Sequence, residues 1–180
     1  MPHRLRIITT SLLTILLIGS ATAGWDPNEG KTLETESLET IRKFKEKDPG
    51  LQDFFQEAKG WAVFPTVGKL GYWLGGAYGK GVLYQADKAT GYVELKQVTV
   101  GLQFGGQSYS QVIFFKDEAS IERFKSDQLE FDAQVSGVIA DKGAAAKVDY
   151  HNGVAVFTLP KGGLMAEASV GGQAFAFQDK

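Results

Sequence analysis

A chain of 180 residues with a net charge of −2, no cysteine and two histidines excludes several classes of function. Zinc sites and cysteine nucleophiles have almost no ligands to draw on, and the mildly acidic balance argues against nucleic acid as a general partner. The length suits one domain with a sizeable core.

Met1 to Ala23 carries Arg4 and Arg6, an apolar run from Ile7 to Ile18, and small residues ending in Ala21-Thr22-Ala23. This is the pattern of a secretory signal peptide, with an apolar core too short for a comfortable transmembrane helix. Cleavage before Gly24 leaves 17 basic against 21 acidic residues, a net charge of −4. Gly24 is not a cysteine, so a lipoprotein anchor is excluded. The expectation is an exported chain, periplasmic or secreted, possible as a peripheral protein on a membrane. Residues 24–31 read as a flexible mature N-terminus and residues 32–180 as a single domain.

From Thr32 to Lys47, Leu33, Leu38, Ile41 and Phe44 recur at near-helical spacing, with acids early and bases late, the order that suits the helix dipole. Such a helix could lie on a membrane surface, but its nearly neutral polar face favours docking on the domain's own sheet. Asp48-Pro49 reads as an N-cap with proline at the first helical position, opening a second helix through Leu51, Phe54, Phe55 and Ala58. Gly60 ends it.

Gly60 to Tyr84 sets seven glycines among Trp61, Phe64, Tyr72, Trp73, Tyr78 and Tyr84. Glycine at this density is poor in a helix, while the aromatic and β-branched residues between suit a pleated surface. The segment therefore reads as strands that bend: Trp61–Phe64, Leu70–Tyr78 and Gly81–Ala86, with Gly71, Gly75, Gly76, Gly79 and Gly81 as structural glycines at bulges or close approaches. A phosphate-cradling loop is disfavoured, because the dinucleotide fingerprint lacks its third glycine and no Gly-Lys-Ser/Thr follows.

Asp87 to Gly91 has the composition of a hairpin loop. Tyr92 to Gln103 follows as a strand with neither face purely polar, since Val98 and Val100 share a side with Glu94 and Lys96. Tyr109 to Phe115 is a strand buried on both faces. Asp117 then caps a helix carrying Ile121 and Phe124. Phe131–Ala140, Val148–Leu159 and Leu164–Phe177 are the remaining strands. The fold class is α+β, a curved, mainly antiparallel sheet of about six or seven strands packed by two or three helices.

Several short motifs along this course are shared with one family. Ala58-Lys59-Gly60, Val63-Phe64-Pro65, the run Gly79-Lys80-Gly81-Val82-Leu83, Gly101-Leu102-Gln103, Gly105-Gly106-Gln107, Gly163-Leu164-Met165 and Gly171-Gly172-Gln173 resemble the SYLF (Ysc84-type) lipid-binding family, from about Leu33 to Phe177. The chain departs from the family's Trp-Ser-x-Pro element, having Tyr92-Val93-Glu94-Leu95 in its place. The resemblance implies an α+β domain and association with phospholipid or a membrane surface, in eukaryotic members often phosphoinositides with links to actin. It implies no catalytic residues.

Other chemistry has few residues to draw on. His151 lies beside Asn152-Gly153 in a turn. The nearest match to a serine elbow, Gly106 to Ser110, lacks its last glycine. Glu94, Asp149 and Glu167 lie near strands and read as solvated rather than as a hydrolytic pair. No catalytic residue, metal or cofactor is assigned.

One local pattern speaks of partners: between Ala58 and Ala86 there are Lys59, Lys69 and Lys80 but no acid, alongside Tyr72, Trp73 and Tyr78. Such a surface could hold headgroup phosphate through lysine and settle at a bilayer interface through Trp and Tyr. The plainer alternative makes the aromatics core and the lysines solvated. The expected function is non-enzymatic lipid or membrane association in the cell envelope. Its rivals are a structural or protein-interaction module binding an envelope partner, and a carrier of a small apolar ligand inside the curved sheet.

Overall fold

The computed structural model describes residues 27–71, 74–100, 107–127, 136–138, 143–161 and 172–180. Helix α1 spans Pro27–Lys47, with Glu29 in its first turn and Lys45 and Lys47 in its last. Its buried stripe, Leu33, Ser37, Thr40 and Phe44, repeats at steps of three and four and lies against the sheet, so the helix docks on its own domain. The helix begins five residues before Thr32, and Pro27 to Lys31 are helical rather than flexible. Proline suits the first turn of a helix, and tertiary contacts hold that turn: Glu29 pairs with Lys80, and Gly30 packs on the Tyr92 ring so closely that a Cβ would overlap its hydroxyl.

Asp48 is not the expected cap. Helix α2 spans Leu51–Glu57. The Asp48 carboxylate instead accepts from the backbone N–H of Gly50 at 3.1 Å and of Ala145 at 2.8 Å, tying the α1–α2 junction to the 3₁₀ turn Ala145–Lys147. Chain reversal is already complete at Ala58, which is extended, so Gly60 opens a strand rather than ending the helix.

The strands are β1 (Gly60–Gly71), β2 (Leu74–Gln85), β3 (Lys88–Val100), β4 (Gln107–Phe115), β5 (Ser136–Val138), β6 (Val154–Pro160) and β7 (Gln173–Asp179), with α3 (Glu118–Lys125) between β4 and β5. They form one sheet in the order β5-β6-β4-β1-β2-β3-β7. Six strands pair antiparallel, and β5 adds parallel to β6. The α+β class and the curved, mainly antiparallel sheet are as expected. Where three short strands were expected between Trp61 and Ala86, there are two long ones. Ala86 and Asp87, both at positive φ, make a two-residue turn in place of the longer loop. Asp117 does cap α3, accepting from Ser120 N at 2.8 Å. Of the strand expected over Phe131–Ala140, only Ser136–Val138 lies within the described residues; of the segment Leu164–Phe177, only residues 172–177 do, with Gln173 opening β7.

Curvature comes from the glycines and from an irregularity in β1 between Val63 and Val67. A Cβ on Gly79 would lie 2.9 Å from Thr66 O, and one on Gly81 would lie 2.6 Å from Phe64 Cδ1, so both allow β2 to press against β1 on the concave side. Gly76 lies on the convex side, where a Cβ would find only Gln97 O at 3.5 Å; bending opens space there instead of closing it. Gly71 pairs with Gly75 at the end of the β1–β2 ladder.

Two apolar layers result. Phe64, Val67, Leu95, Ile113, Phe115, Phe124 and Phe175 fill the concave side, where the Phe124 ring lies 4.8 Å from both Phe115 and Phe175. On the convex side Phe44, Leu51, Phe55, Trp61, Val63, Val82, Phe114 and Phe157 pack beneath α1 and α2. Strand β4 feeds both layers, as its unbroken apolar run predicts.

Candidate functional site

Helix α1 covers only one end of the convex face. Cross-strand rows run Thr66–Lys80–Glu94 and Gly68–Tyr78–Lys96, and Gly76 pairs with Val98 beyond them. The first turn of α1 reaches the Lys80 row, where Glu29 Oε1 meets Lys80 Nζ at 2.5 Å. Behind it, Glu34 accepts from Tyr92 Oη at 2.7 Å and pairs with Lys180 at 2.8 Å. Beyond the Lys80 row, no helix among the described residues lies over the sheet. Tyr78 is 45% exposed there and Val98 71% exposed.

The charged groups at this bare end are mostly paired. Glu94 accepts from Tyr78 Oη at 3.2 Å and pairs with Lys96 at 3.1 Å. Burial and the Glu94 carboxylate push the Tyr78 phenol up, and the hydrogen bond to Glu29 pushes the Lys80 ammonium up, so both keep their protons at neutral pH. Lys161 reaches in from the end of β6 and donates to Thr66 Oγ1 at 2.6 Å. No carboxylate among the described residues lies within ion-pair distance of Lys161. Burial, followed by the neighbouring Lys43, lowers its affinity for a proton.

The lysines singled out in the sequence do not converge. Lys59 is exposed between α2 and β1. Lys69 pairs with Ala77 and so lies on the concave side, opposite Lys80. Tyr72 and Trp73 lie outside the described residues. The segment is free of acids in sequence but not in space, because Glu29 and Glu94 come to Lys80 and Tyr78 from other elements. Val98, Lys96 and Lys161 are the residues the pattern did not single out. Val98 left a signal, an apolar residue on the same strand side as Glu94 and Lys96; Lys161, just past the end of β6, left none.

Among the described residues no three His, Cys, Asp or Glu side chains gather to hold a metal, and no helix is long and apolar enough to cross a membrane. What the arrangement offers is a curved sheet with one face half covered and an exposed pair, Tyr78 and Val98, next to the Lys80–Glu29 and Lys96–Glu94 ion pairs.

Residues 96–180 match the family model described as "Ysc84: Las17-binding protein actin regulator". The chain carries a Ysc84-type (SYLF) domain. A curated relative, beta cell expansion factor A of Aeromonas veronii, is 30% identical over 138 residues, which is 75% of this chain and 51% of that protein. The chain thus spans about half the length of the curated relative it matches. The Ysc84 match begins at Lys96 in β3 and takes in Val98, β4, α3, β6 and β7. The glycine-rich stretch of β1 and β2 precedes it in sequence and forms the centre of the same sheet.

Proposed function

We propose that this protein is a non-enzymatic module of the cell envelope that associates with phospholipid membranes through the bare end of its convex face. The observation that carries the reading is the exposure of Val98 and Tyr78 past the reach of α1, with Lys96 in the Tyr78 row and Lys80 and Lys161 at the margin of the helix. An apolar side chain enters the interfacial zone, tyrosine suits its boundary, and lysine stems carry their charges to the headgroups. The signal-like segment Met1–Ala23 supports export to the compartment where such a surface would meet its membrane.

Liposome co-sedimentation of the protein expressed from its whole reading frame, with zwitterionic and anionic vesicles, tests the reading. Binding should be measurable and should fall on Val98→Asp with the fold unchanged. Wild-type protein that binds neither vesicle would overturn it. The second reading is a protein partner, supported in general by the family's description as Las17-binding; a negative liposome result makes it the better account. The carrier reading draws no support from the concave side, which side chains fill.

A further inference from the structure

At the other end of the convex face, α1 and α2 stand apart above Trp61 and Tyr84 and leave a groove of about 480 Å³. That volume is within the usual range for small-molecule sites. Its floor is aromatic: Trp61 and Tyr84 stack with ring centres 6.2 Å apart, and Phe55 meets Trp61 edge-on at 5.3 Å. One wall is Leu38, which is 59% exposed although its helix neighbours Leu33 and Phe44 are buried.

The polar groups of the rim give the sign of the ligand. Lys45 extends over the Phe55 ring with Nζ 4.4 Å from its centre, and no carboxylate among the described residues pairs with it. Gln52 adds amide donors from α2. The Trp61 Nε1–H is buried without an acceptor among the described residues, a hydrogen-bonding capacity left unused beside the groove. Asp87, in the turn between β2 and β3, is the single carboxylate of the lining.

We propose that this groove binds one molecule of an anionic single-chain amphiphile, a free fatty acid being the simplest. The alkyl chain lies between Leu38 and the aromatic floor, and the carboxylate meets Lys45 and Gln52. The site is distinct from the membrane-facing one: Tyr84 is eight residues along β2 from Gly76, the partner of Val98, or roughly 26 Å. Neither proposal rests on the other.

Calorimetric titration of the full chain with laurate, kept below its micelle concentration, tests it. Saturation at one equivalent is expected. Lys45→Gln should weaken binding about two- to fivefold, as loss of a partly solvated ion pair does. Leu38→Glu, a change at an exposed site, should weaken it on the order of tenfold by removing apolar wall and adding a like charge. Asp87→Asn should strengthen it, since asparagine tolerates the positive φ of that position. Dodecyltrimethylammonium should not bind. Absence of a saturable site for laurate, equal binding of the cationic amphiphile, or unchanged affinity in both Lys45→Gln and Leu38→Glu would overturn the proposal. Val98→Asp should leave laurate binding intact, which separates this outcome from failure of the membrane reading.

Discussion

Gln111 on β4 and Gln173 on β7 exchange two side-chain hydrogen bonds, of 2.9 and 3.1 Å, with both side chains buried. Strands β1, β2 and β3 lie between β4 and β7, so a flat sheet would hold the two residues about 19 Å apart. The sheet therefore curls until its fourth neighbour returns, and the amide pair closes the concavity next to Phe64, Phe124 and Phe175. Asp127 seals the same edge by accepting from Phe175 N at 2.6 Å.

Each amide is the main partner of the other, with the Tyr109 hydroxyl a further partner of Gln173, so removing one leaves buried hydrogen-bonding capacity unsatisfied on the other, at a cost of about 1–3 kcal/mol. Gln111→Leu and Gln173→Leu should each destabilise by that order in urea unfolding, and the double variant by clearly less than their sum. Additive effects would mean that the pair does not hold the curl.

Gly79 and Gly81, the glycines of β2 that touch β1 on the concave side, should be sensitive. Gly79→Ala and Gly81→Ala place a methyl within 3 Å of β1 atoms and should cost about 1–3 kcal/mol. Gly68→Ala, with nothing within 4 Å of its Cβ, should change the melting temperature little. Equal sensitivity at Gly68 and Gly81 would count against close approach as the reason for glycine.

The curl was legible in the glycine spacing, and β4 in its run Val112 to Phe115, because these patterns record backbone approach and two-sided burial along one segment. The charge state of the bare end was not legible. Lys80 lies 51 residues from Glu29 in sequence, and their meeting depends on where α1 docks. Asp48 misled for the same reason: Asp-Pro is a sound local cap signal, overridden by N–H groups at Gly143 to Ala145 that folding brings to its carboxylate.

Acid should weaken the fold partly through that carboxylate. Burial pushes the Asp48 carboxyl up, but the backbone N–H groups of Ala145, Gly143 and Gly50 outweigh it and hold the group below its ordinary value. A folded-state pKa below the unfolded one adds stability that is present above the ordinary carboxylate value, near 3.9, and is lost as pH falls through the folded value. Asp48→Asn should therefore unfold at lower urea than wild type at pH 7, with the gap closing as pH falls below the ordinary carboxylate value. A gap independent of pH would assign the loss to packing instead.

Membrane binding should be apolar in character more than electrostatic. Lys80 and Lys96 each carry a carboxylate with them to the surface, Glu29 and Glu94, so their net attraction to anionic lipid is small. An unpaired lysine near such a surface contributes about 1 kcal/mol, which here leaves Lys161 as the main electrostatic contributor among the cations of that end. Burying Val98 contributes about 1.5–3 kcal/mol. Val98→Asp should thus weaken vesicle binding by at least about tenfold, Lys161→Gln by less, and Lys80→Gln with Lys96→Gln together by little. Raising salt from about 0.1 M to about 1 M, which shortens the screening length to roughly 3 Å, should remove only the Lys161 share. Binding that collapses in salt and ignores Val98→Asp would move the membrane contact away from this face, to a cationic surface elsewhere on the chain.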